Sequence, residues 1–392
     1  MTNQRKKDIY GAGEAGIKAV VTESKLISRI GALVEIESPS DVKQAVDRCV
    51  DAVVEMAAGA SVQVRRHRQH HFGDVLELRY GFSAKGKSVA APLLLLGHLD
   101  TVWPMGTLAA MPVRTEKGRL WGPGVLDMKA GVAMGLTAIE ALQNEGALQR
   151  PVIFLLNSDE EVGSTVSRPI TEKLARECAA VFVLEPAQGP KGAYKTARKG
   201  VGNYTVRVEG VAAHAGVDFE RGHNAIAELA WQLEKVRGFT ELESGLTVNA
   251  GVIRGGTRTN VIAAEAEAEI DVRIARAKDA ARIDRKFHGL RVRDRGCVLD
   301  VTGGMNRPPM ERSRGTVALF RRAATLAAKM GFSLAEAATG GGSDGNFTAA
   351  LGIPTLDGMG AVGEGAHASH ESVVLKELVP RTALLAEMIR TT

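Results

Sequence analysis

The sequence has few cysteine and aromatic residues, which disulfide-stabilised proteins and proteins that stack on nucleic-acid bases need. Its 392 residues include only 3 cysteines, and aromatic residues make up 4%. Cys49, Cys178 and Cys297 lie far apart in the sequence, which favours free buried thiols and a reducing compartment over disulfides. Scarce aromatic residues leave little material for the stacking surfaces that bind single-stranded nucleic acid.

Long apolar runs and a one-sided charge are also missing. No stretch reaches the ~18 consecutive apolar residues of a membrane span, and residues 1–8 (MTNQRKKD) lead into no apolar signal core. We therefore expect no membrane partner and a cytoplasmic protein, or a periplasmic one if an export signal has been removed. The 50 basic residues are dispersed and nearly balanced by 45 acidic ones, so we expect no nucleic-acid partner.

The densest basic cluster runs from Arg65 to His71, between two apolar stretches. Such a cluster is typical of a solvated strand or hairpin, and a binding patch is the alternative. The formal net charge of +5 would help an anionic substrate approach, but it identifies no partner.

The chain contains short apolar runs typical of an α/β sheet. Its length suits two domains, and 45% hydrophobic with 24% charged residues is a soluble globular balance. Continuous apolar runs at 93–96, 152–156 and 181–184, with helical text such as 131–142, predict buried parallel strands. A helix that Ser40 could cap is predicted before them, and another strand is predicted at 352–356.

From about residue 200 the pattern changes to strict alternation of apolar and polar residues. It is clearest at 204–208 and 265–274, with helical stripes at 226–236 and 278–290 between and after these stretches. Alternation predicts antiparallel strands with one wet face. We therefore predict a small sheet with two helices on one face, inserted into the larger domain, which resumes near residues 307–309.

Histidine and acidic residues follow the three apolar runs: His98 and Asp100, then Glu160 and Glu161, then Glu185. Open α/β sheets carry their sites at these strand ends. Together with Asp127 and His367, the set offers imidazoles and carboxylates without cysteine, which suits zinc, cobalt or manganese.

Some roles follow from the residue types alone. Asp100 lies two residues after His98 on an extended segment, so it can face the same cleft and orient the imidazole. Asp127 is either a turn residue or a carboxylate that bridges two cations. Glu160 and Glu161 are either a solvated edge or a metal ligand beside a general base, and the sequence does not divide these roles.

The order and spacing of several motifs resemble one family. The motifs are LGHLD at 96–100, GPG through DMK at 122–129, SDEEVGS at 158–164, Glu185-Pro186, the segment around His214, GHNA at 222–225, and TGGGSD at 339–344. They resemble the zinc metallopeptidase family of glutamate carboxypeptidase, acetylornithine deacetylase, succinyl-diaminopimelate desuccinylase and aminoacylase. The resemblance runs from about residue 25 onward and is strongest to the glutamate carboxypeptidase (carboxypeptidase G-type) branch.

The resemblance implies a fold and a domain plan. A mostly parallel sheet flanked by helices, of the phosphorylase/hydrolase-like zinc-peptidase type, would occupy residues 1–199 and 308–392. An α+β ferredoxin-like domain for dimerisation and lid closure would occupy residues 200–307. A homodimer through the inserted domain would follow.

The resemblance also implies a metal centre. One zinc ion would be held by His98, Asp127 and Glu185, and a second by Asp127, Glu161 and His367. Glu160 would be the general base and acid, and Asp100 would orient His98. The peptide bond after Asp127 would be cis. For the last ligand, His370 is the alternative to His367.

The remaining implied roles concern the substrate. His214 would reach across the dimer to stabilise the oxyanion, although a lone histidine is more often an ordinary surface or core residue. Arg273 and Asn260 would clamp a substrate carboxylate, with Arg307 as a weaker candidate. Each is otherwise an ordinary structural residue. The run around Gly341 either offers backbone N–H groups to a substrate or is only a flexible loop.

We therefore expect a dizinc hydrolase that cleaves an amide bond next to a free carboxylate. Its substrate would be a small acidic N-acyl amino acid or peptide, and it would release C-terminal glutamate or a similar residue. An N-acyl amino-acid deacylase or desuccinylase is the alternative. A non-catalytic metal-binding interaction protein is the more distant one.

Overall fold

The computed structural model describes residues 20–59, 61–82 and 90–392, so the basic stretch at residues 1–8 lies outside the described residues. Contacts divide the chain into two units. The first unit comprises the chain up to Ala197 together with 312–339 and 343–392, and the second unit comprises 198–311 with 340–342. No helix in the described part of the chain is long and apolar enough to cross a bilayer.

The described residues form the following helices and strands. They are, in order, α1 (Glu23–Val34), α2 (Lys43–Ala57), β1 (Val62–His67), β2 (Val75–Tyr80), β3 (Leu93–His98), α3 (Thr107–Ala110), β4 (Arg114–Glu116), β5 (Arg119–Trp121), α4 (Ala130–Asn144), β6 (Val152–Asn157), α5 (Arg168–Ala175), β7 (Ala180–Val183), β8 (Tyr194–Arg198), β9 (Gly200–Glu209), α6 (Ala225–Arg237), β10 (Thr247–Gly255), β11 (Glu265–Ile274), α7 (Ala280–His288), β12 (Val298–Arg307), α8 (Arg314–Lys329), β13 (Glu336–Thr339), α9 (Gly345–Ala350), β14 (Thr355–Leu356), β15 (Gly363–Glu364), β16 (Ser372–Val374) and α10 (Leu375–Thr391).

The first unit is built on a six-stranded sheet in the order β1-β2-β6-β3-β7-β14. Strands β6, β3, β7 and β14 pair in parallel, and the β1–β2 hairpin adds two antiparallel strands at one edge. Every residue of β3, β6 and β7 is buried, because helices cover the sheet. This confirms the parallel strands that the apolar runs predict and the mostly parallel α/β class.

The second unit contains a four-stranded antiparallel sheet in the order β10-β11-β9-β12, with α6 and α7 as connections. This βαββαβ path is the ferredoxin-like arrangement. One face is apolar and packs on both helices, and the rings of Tyr204 and Phe287 stack with centroids 4.0 Å apart. The alternation of polar and apolar residues therefore marks the dry and wet faces of this sheet.

One local prediction is wrong, and another is confirmed only in part. Ser40 caps no helix, because α2 begins at Lys43 after Val42, and the Ser40 hydroxyl instead donates to Asp100 Oδ2 at 2.7 Å. The strand predicted at 352–356 is reduced to the two residues of β14. For Ser40, a tertiary hydrogen bond replaces the local helix cap.

The basic cluster that begins at Arg65 lies on the β1–β2 hairpin, as the hairpin interpretation predicts. Arg66 pairs with Asp51 at 2.6 Å, and Arg68 pairs with Asp74 at 3.0 Å. Much of this positive charge is therefore used within the first unit.

Glu77 on β2 is a buried carboxylate at the same hairpin, with 1% of its surface exposed. It accepts a hydrogen bond from His67 Nε2 at 2.7 Å and another from Arg79 Nε. Burial alone would raise the pKa of Glu77, but these two partners hold it below its usual value. A folded-state pKa below the unfolded one means that ionisation of Glu77 stabilises the fold above about pH 4.5.

We predict that Glu77→Gln lowers the free energy of unfolding by about 1–3 kcal/mol near pH 6, because the charged partners lose their acceptor. The difference from wild type should shrink as pH falls below about 4.5 and through the folded-state pKa, where Glu77 is protonated as well. Urea unfolding at several pH values measures this. A difference that stays constant between pH 3 and 7 would contradict the assigned role.

Candidate active site

The carboxyl ends of three parallel strands bring the predicted residues to one edge of the sheet. His98 ends β3 and lies in register with Asn157, the last residue of β6. Glu160 and Glu161 follow β6 in a short 3-10 turn, and Glu185 follows β7 closely. The strand order therefore collects these side chains, as open α/β sheets do.

Asp127 reaches the same edge because α4 packs unusually close to the end of β7. A Cβ atom at Gly131 would lie 2.0 Å from the carbonyl oxygen of Leu184, so only glycine permits this approach. Asp127 lies in the irregular turn just before α4, and Glu185 follows Leu184. The Asp127–Met128 peptide bond is cis, as the resemblance implies.

Asp127 lies between two imidazoles. Its Oδ1 is 3.2 Å from His98 Nε2, and its Oδ2 is 3.4 Å from His367 Nε2. His98 Nε2 is also 3.6 Å from Glu185 Oε1, while His367 Nε2 is 3.2 Å from Glu161 Oε2. The structure thus brings all five predicted metal ligands together around one carboxylate.

Two overlapping groups have the spacing of metal donors. The ligand atoms of His98, Asp127 and Glu161 lie within 4.8 Å of one another, and so do those of His98, Glu160 and Glu185. Glu160 therefore lies close enough to be either a ligand or a base beside the metal. Geometry alone does not divide the two roles.

Asp100 is fully buried and supports the site in a different way from the predicted one. The His98 ring Nδ1–H donates to the Asp100 backbone carbonyl at 2.9 Å, whereas the carboxylate Oδ1 is 3.5 Å from that nitrogen. The Asp100 carboxylate instead accepts hydrogen bonds from the backbone N–H groups of Glu160 and Glu161, at 3.2 and 3.1 Å. Asp100 therefore orients His98 through its main chain and the two glutamates through its side chain.

The concentration of carboxylates changes the protonation of the site. Burial alone would lower the pKa of His98, but Asp100, Asp127 and Glu185 raise it well above its usual value. Contacts with Asp127 and Glu161 raise the pKa of His367 to about 10. The site therefore attracts positive charge strongly.

The pKa values of Asp127 and Glu161, two of the three predicted acidic ligands, shift in opposite directions. Burial alone would raise the pKa of Asp127, but His367 and His98 hold it well below its usual value. Burial and the neighbouring carboxylates of Asp127 and Asp100 raise the pKa of Glu161 to about 7, although His367 opposes this. Ionised Glu161 is therefore costly here unless another positive charge is near.

These residues fit a bound divalent cation. Glu161 Oε1 is buried and has no hydrogen-bond partner among the described residues. Neither Asp127 nor Glu161 forms an ion pair with lysine or arginine in residues 20–59, 61–82 and 90–392. Imidazole nitrogen and carboxylate oxygen are donors that zinc and similar metals prefer. All three cysteines are buried, free thiols, as predicted.

His367 and His370 differ in their surroundings. His367 adopts a φ of 61°, in the left-handed region that non-glycine residues rarely occupy, and its ring contacts Asp127 and Glu161. The ring of His370 is exposed, and no hydrogen bond or ion pair of that ring occurs within the described ranges. The geometry favours His367 as the last ligand.

Glu371 is a site residue that the sequence does not reveal. Its buried carboxylate accepts hydrogen bonds from the backbone N–H groups of Gly124 and Leu126 at 2.8 Å, and from Asp127 at 3.0 Å. The Trp103 indole donates at 2.8 Å. Glu371 thus holds the loop that presents Asp127. The only sequence signal is an acidic residue four positions after His367.

In the second unit, two predicted residues lie on neighbouring segments. His214 is exposed, and its Nδ1 accepts a hydrogen bond from the N–H of Gly216 at 3.1 Å. The next residue, Ala215, donates its N–H to the carbonyl of Asn260 at 3.0 Å. His214 and Asn260 are therefore neighbours within this unit.

The other predicted substrate residues surround the glycine run. Arg273 is held by the Asp271 carboxylate at 2.8–3.0 Å, so its guanidinium already has an acidic partner. Arg198, which the sequence does not single out, donates to the carbonyl of Gly341 at 3.2 Å and to that of Gly342 at 2.9 Å.

Arg307 is the third arginine at the glycine run. It is 5% exposed, and its side chain lies against the Cα of Gly342, where an added Cβ would come 2.9 Å from Arg307 Cδ. Arginine side chains thus border the run on more than one side.

Comparison with known proteins agrees with the site. Residues 94–391 match the sequence model of Peptidase family M20/M25/M40. Carboxypeptidase G2 of Pseudomonas sp. (strain RS-16) is 30% identical over 300 residues, covering 75% of this chain and 72% of that protein. Succinyl-diaminopimelate desuccinylase of Paracidovorax citrulli (strain AAC00-1) is 26% identical over 334 residues, covering 76% and 80%.

Solved structures support the fold. The aminopeptidase PepT of Bacillus cereus ATCC 10987 superposes with a TM-score of 0.75 at 22% identity, over 95% of this chain and 99% of that one. The M20 family metallo-carboxypeptidase Sso-CP2 of Sulfolobus solfataricus gives 0.73 at 16% identity, over 93% and 98%. Because the family match spans well over half of the sequence, the chain belongs to Peptidase family M20/M25/M40 and is a hydrolytic enzyme of the metallopeptidase class.

Proposed function

We propose that the protein is a two-metal hydrolase that cleaves an amide bond next to a free carboxylate. In this proposal it releases C-terminal glutamate or a similar amino acid from N-acylated or peptidyl substrates. The observation that carries the proposal is the position of Asp127 between His98 and His367, with one carboxylate oxygen toward each ring. The carboxypeptidase G2 relative supports the choice of substrate.

The metal ligands proposed are His98, Asp127 and Glu185 for one ion, and Asp127, Glu161 and His367 for the other. One carboxylate can bridge two cations, which matches the way Asp127 presents its two oxygens. Zinc is proposed as the native metal, with cobalt or manganese as substitutes. Bound ions would polarise the scissile carbonyl and lower the pKa of an attacking water.

The protein groups divide the remaining work. The Glu160 carboxylate accepts a proton from the attacking water and passes it to the leaving amine. Asp100 holds the backbone of Glu160 in place, and Glu371 holds that of Asp127. His214 is proposed as the donor that stabilises the oxyanion, because its ring is exposed.

Recognition of the substrate carboxylate is assigned to Arg273 and Asn260, with Arg307 and Gly341 as further candidates. Arginine suits this role because its planar fork meets a carboxylate through two hydrogen bonds. Since Asp271 already holds Arg273, a substrate carboxylate would have to share or replace that partner. The desuccinylase relative favours a second candidate function, hydrolysis of N-succinyl or N-acyl amino acids.

The predicted domain plan becomes part of the proposal. We assign the metal chemistry to residues 1–199 and 308–392, and lid closure and dimerisation to residues 200–307. Strand β10 is an edge strand whose outer residues are exposed, including Ile253 at 58%. Such an edge is a template for pairing with a second chain, so a homodimer through β10 is proposed.

A cytoplasmic location is proposed because the three cysteines are free and buried, which suits a reducing compartment. Fractionation of the native cells tests this, and recovery from the periplasm would contradict it.

We expect the zinc-loaded enzyme to hydrolyse N-acyl-glutamate and peptides ending in glutamate faster than N-acetyl or N-succinyl amino acids of other classes. Amidation of the free carboxylate should reduce kcat/KM by roughly 10²-fold or more, because donors built for a charged group are left unpaired. Glu160→Gln should lower kcat by about 10²–10⁴-fold and keep the metal. Released amine and bound zinc are the measurements.

Faster hydrolysis of N-succinyl substrates would favour the second candidate function instead. Loss of zinc from Glu160→Gln would show that Glu160 is a ligand rather than the base.

The last metal ligand is tested by removing each histidine separately. We expect His367→Ala to bind about one zinc ion per chain instead of about two, since the second ion loses one of its three protein ligands. His370→Ala is the matched control, and it should keep full zinc occupancy. Atomic absorption after dialysis gives the metal content, and full occupancy in His367→Ala would overturn the assignment.

The proposed dimer is tested at the two edges of one sheet. Ile253→Lys on β10 should convert a wild-type dimer into a monomer, because lysine at an edge opposes strand pairing. Val298→Lys on β12 is the matched control, since Val298 is 63% exposed at the opposite edge. Light scattering after size exclusion measures the mass, and a monomeric wild type would refute the dimer.

A further inference from the structure

One carboxylate binds both ends of the loop that carries Glu160 and Glu161. Asn157, the last residue of β6, donates its side-chain Nδ2 to Asp344 Oδ2 at 2.6 Å. Ser164, at the far end of the loop, donates its hydroxyl to Asp344 Oδ1. All three side chains are buried, with Asn157 and Ser164 at 0% and Asp344 at 3% exposure. The two carboxylate oxygens of Asp344 thus link the first and last residues of this loop, Asn157 and Ser164.

The conformation of this loop needs such support. Ser164 has a φ of 58°, in the left-handed region that L-residues other than glycine rarely adopt. Its N–H donates to the Asp159 carbonyl at 2.7 Å, and the Asp159 carboxylate accepts the N–H of Val166 at 2.8 Å. Strained backbone of this kind persists only where surrounding contacts fix it, and the bond from Ser164 to Asp344 is one of those contacts.

The loop is therefore held from two directions. On the side of the metal residues, the Asp100 carboxylate accepts the N–H groups of Glu160 and Glu161. On the other side, Asp344 fixes the residues where the loop begins and ends. Asn157 is itself braced, because its Nδ2 also donates to Thr171 Oγ1 on α5 at 3.0 Å. Displacement of Asp344 would therefore move Glu160 and Glu161 together.

We propose that Asp344 is a positioning residue for catalysis, which acts through Asn157 and Ser164 to place Glu160 and Glu161. The inference rests on the proposed function, in which Glu161 binds metal and Glu160 moves the proton. Small displacements of such groups are costly, since a shift of about 1 Å can lower a rate about 10²-fold. Of the predicted substrate residues only Gly341 is close to Asp344 in the sequence, whereas Asn260, Arg273 and Arg307 lie on other segments. The affinity for the substrate carboxylate should therefore change little.

The central test compares zinc-loaded wild type with Asp344→Asn. An asparagine amide can still accept from Asn157 through its oxygen, but the Ser164 hydroxyl must then reverse and accept from the amide N–H. The variant therefore replaces two hydrogen bonds to a charged carboxylate with weaker neutral ones. We expect kcat to fall about 10²-fold with KM within about threefold. The zinc dissociation constant, measured with a competing chelator, should rise about 10–100-fold because Glu161 is no longer held in place.

Glu77→Gln is the matched control, because it also removes a buried carboxylate from the first unit but lies on the β1–β2 hairpin. It should lower the melting temperature and leave kcat and zinc affinity unchanged. If Asp344→Asn behaves in the same way, Asp344 supports only stability and the proposal is wrong.

A Ser164 variant tests the same positioning role if Asp344→Asn folds poorly. Glycine adopts a φ of 58° without strain but has no hydroxyl. We expect Ser164→Gly to weaken zinc binding and to lower kcat. The double variant with Asp344→Asn should lose less than the sum of the two single variants, because both changes affect the same contact between Ser164 and Asp344. Wild-type zinc affinity and kcat in Ser164→Gly, or fully additive losses, would overturn the role of this contact.

Zinc affinity separates this inference from the proposed function. If no acidic amide is hydrolysed but Asp344→Asn still weakens zinc binding, the proposed substrate class fails and the positioning role stands. If the amides are hydrolysed and both kcat and zinc affinity survive in Asp344→Asn, the proposed function stands and the positioning role fails.

Discussion

The rest of the first unit depends on one constraint. Negative charge is gathered at the carboxyl end of a buried parallel sheet. Asp127 and Glu161 have no lysine or arginine partner among the described residues, so two imidazoles carry the charge balance. The neighbouring carboxylates raise the pKa values of His98 and His367, because they favour the positively charged imidazoles. A divalent cation would balance the same negative charge, so metal binding and the stability of the folded state should be linked.

Neutral donors contribute to holding the loops around this charge. Asp100 accepts backbone N–H groups from Glu160 and Glu161, and Glu371 accepts those of the Asp127 loop. Asp344 accepts hydrogen bonds from the Asn157 amide and the Ser164 hydroxyl. Neutral donors have a physical advantage here. They fix the geometry without adding a positive charge, which would repel the metal and weaken its binding.

Much of the fold and most of the metal-site residues could be predicted from the sequence. Strands such as β3 and β6 are continuous apolar runs, and His98 and Glu160 follow them directly, so local pattern and site position coincide. Glu371, Asp344 and Arg198 escaped because their partners lie more than one hundred residues away in sequence. Ser40 is the opposite case, because the sequence predicts a local role as a helix cap and its hydroxyl instead donates to the distant Asp100.

In the proposed function the two units have different roles. Every proposed metal ligand, with Glu160 and the buried carboxylates that hold the loops, belongs to the first unit. His214, Asn260, Arg273, Arg307 and Gly341 all belong to the second unit. Under the proposed function, substitutions in the second unit would alter which carboxylate is recognised and leave the charge balance of the metal centre intact. In that proposal Arg273 matters most, because Asp271 already holds its guanidinium and a substrate carboxylate would have to compete with it.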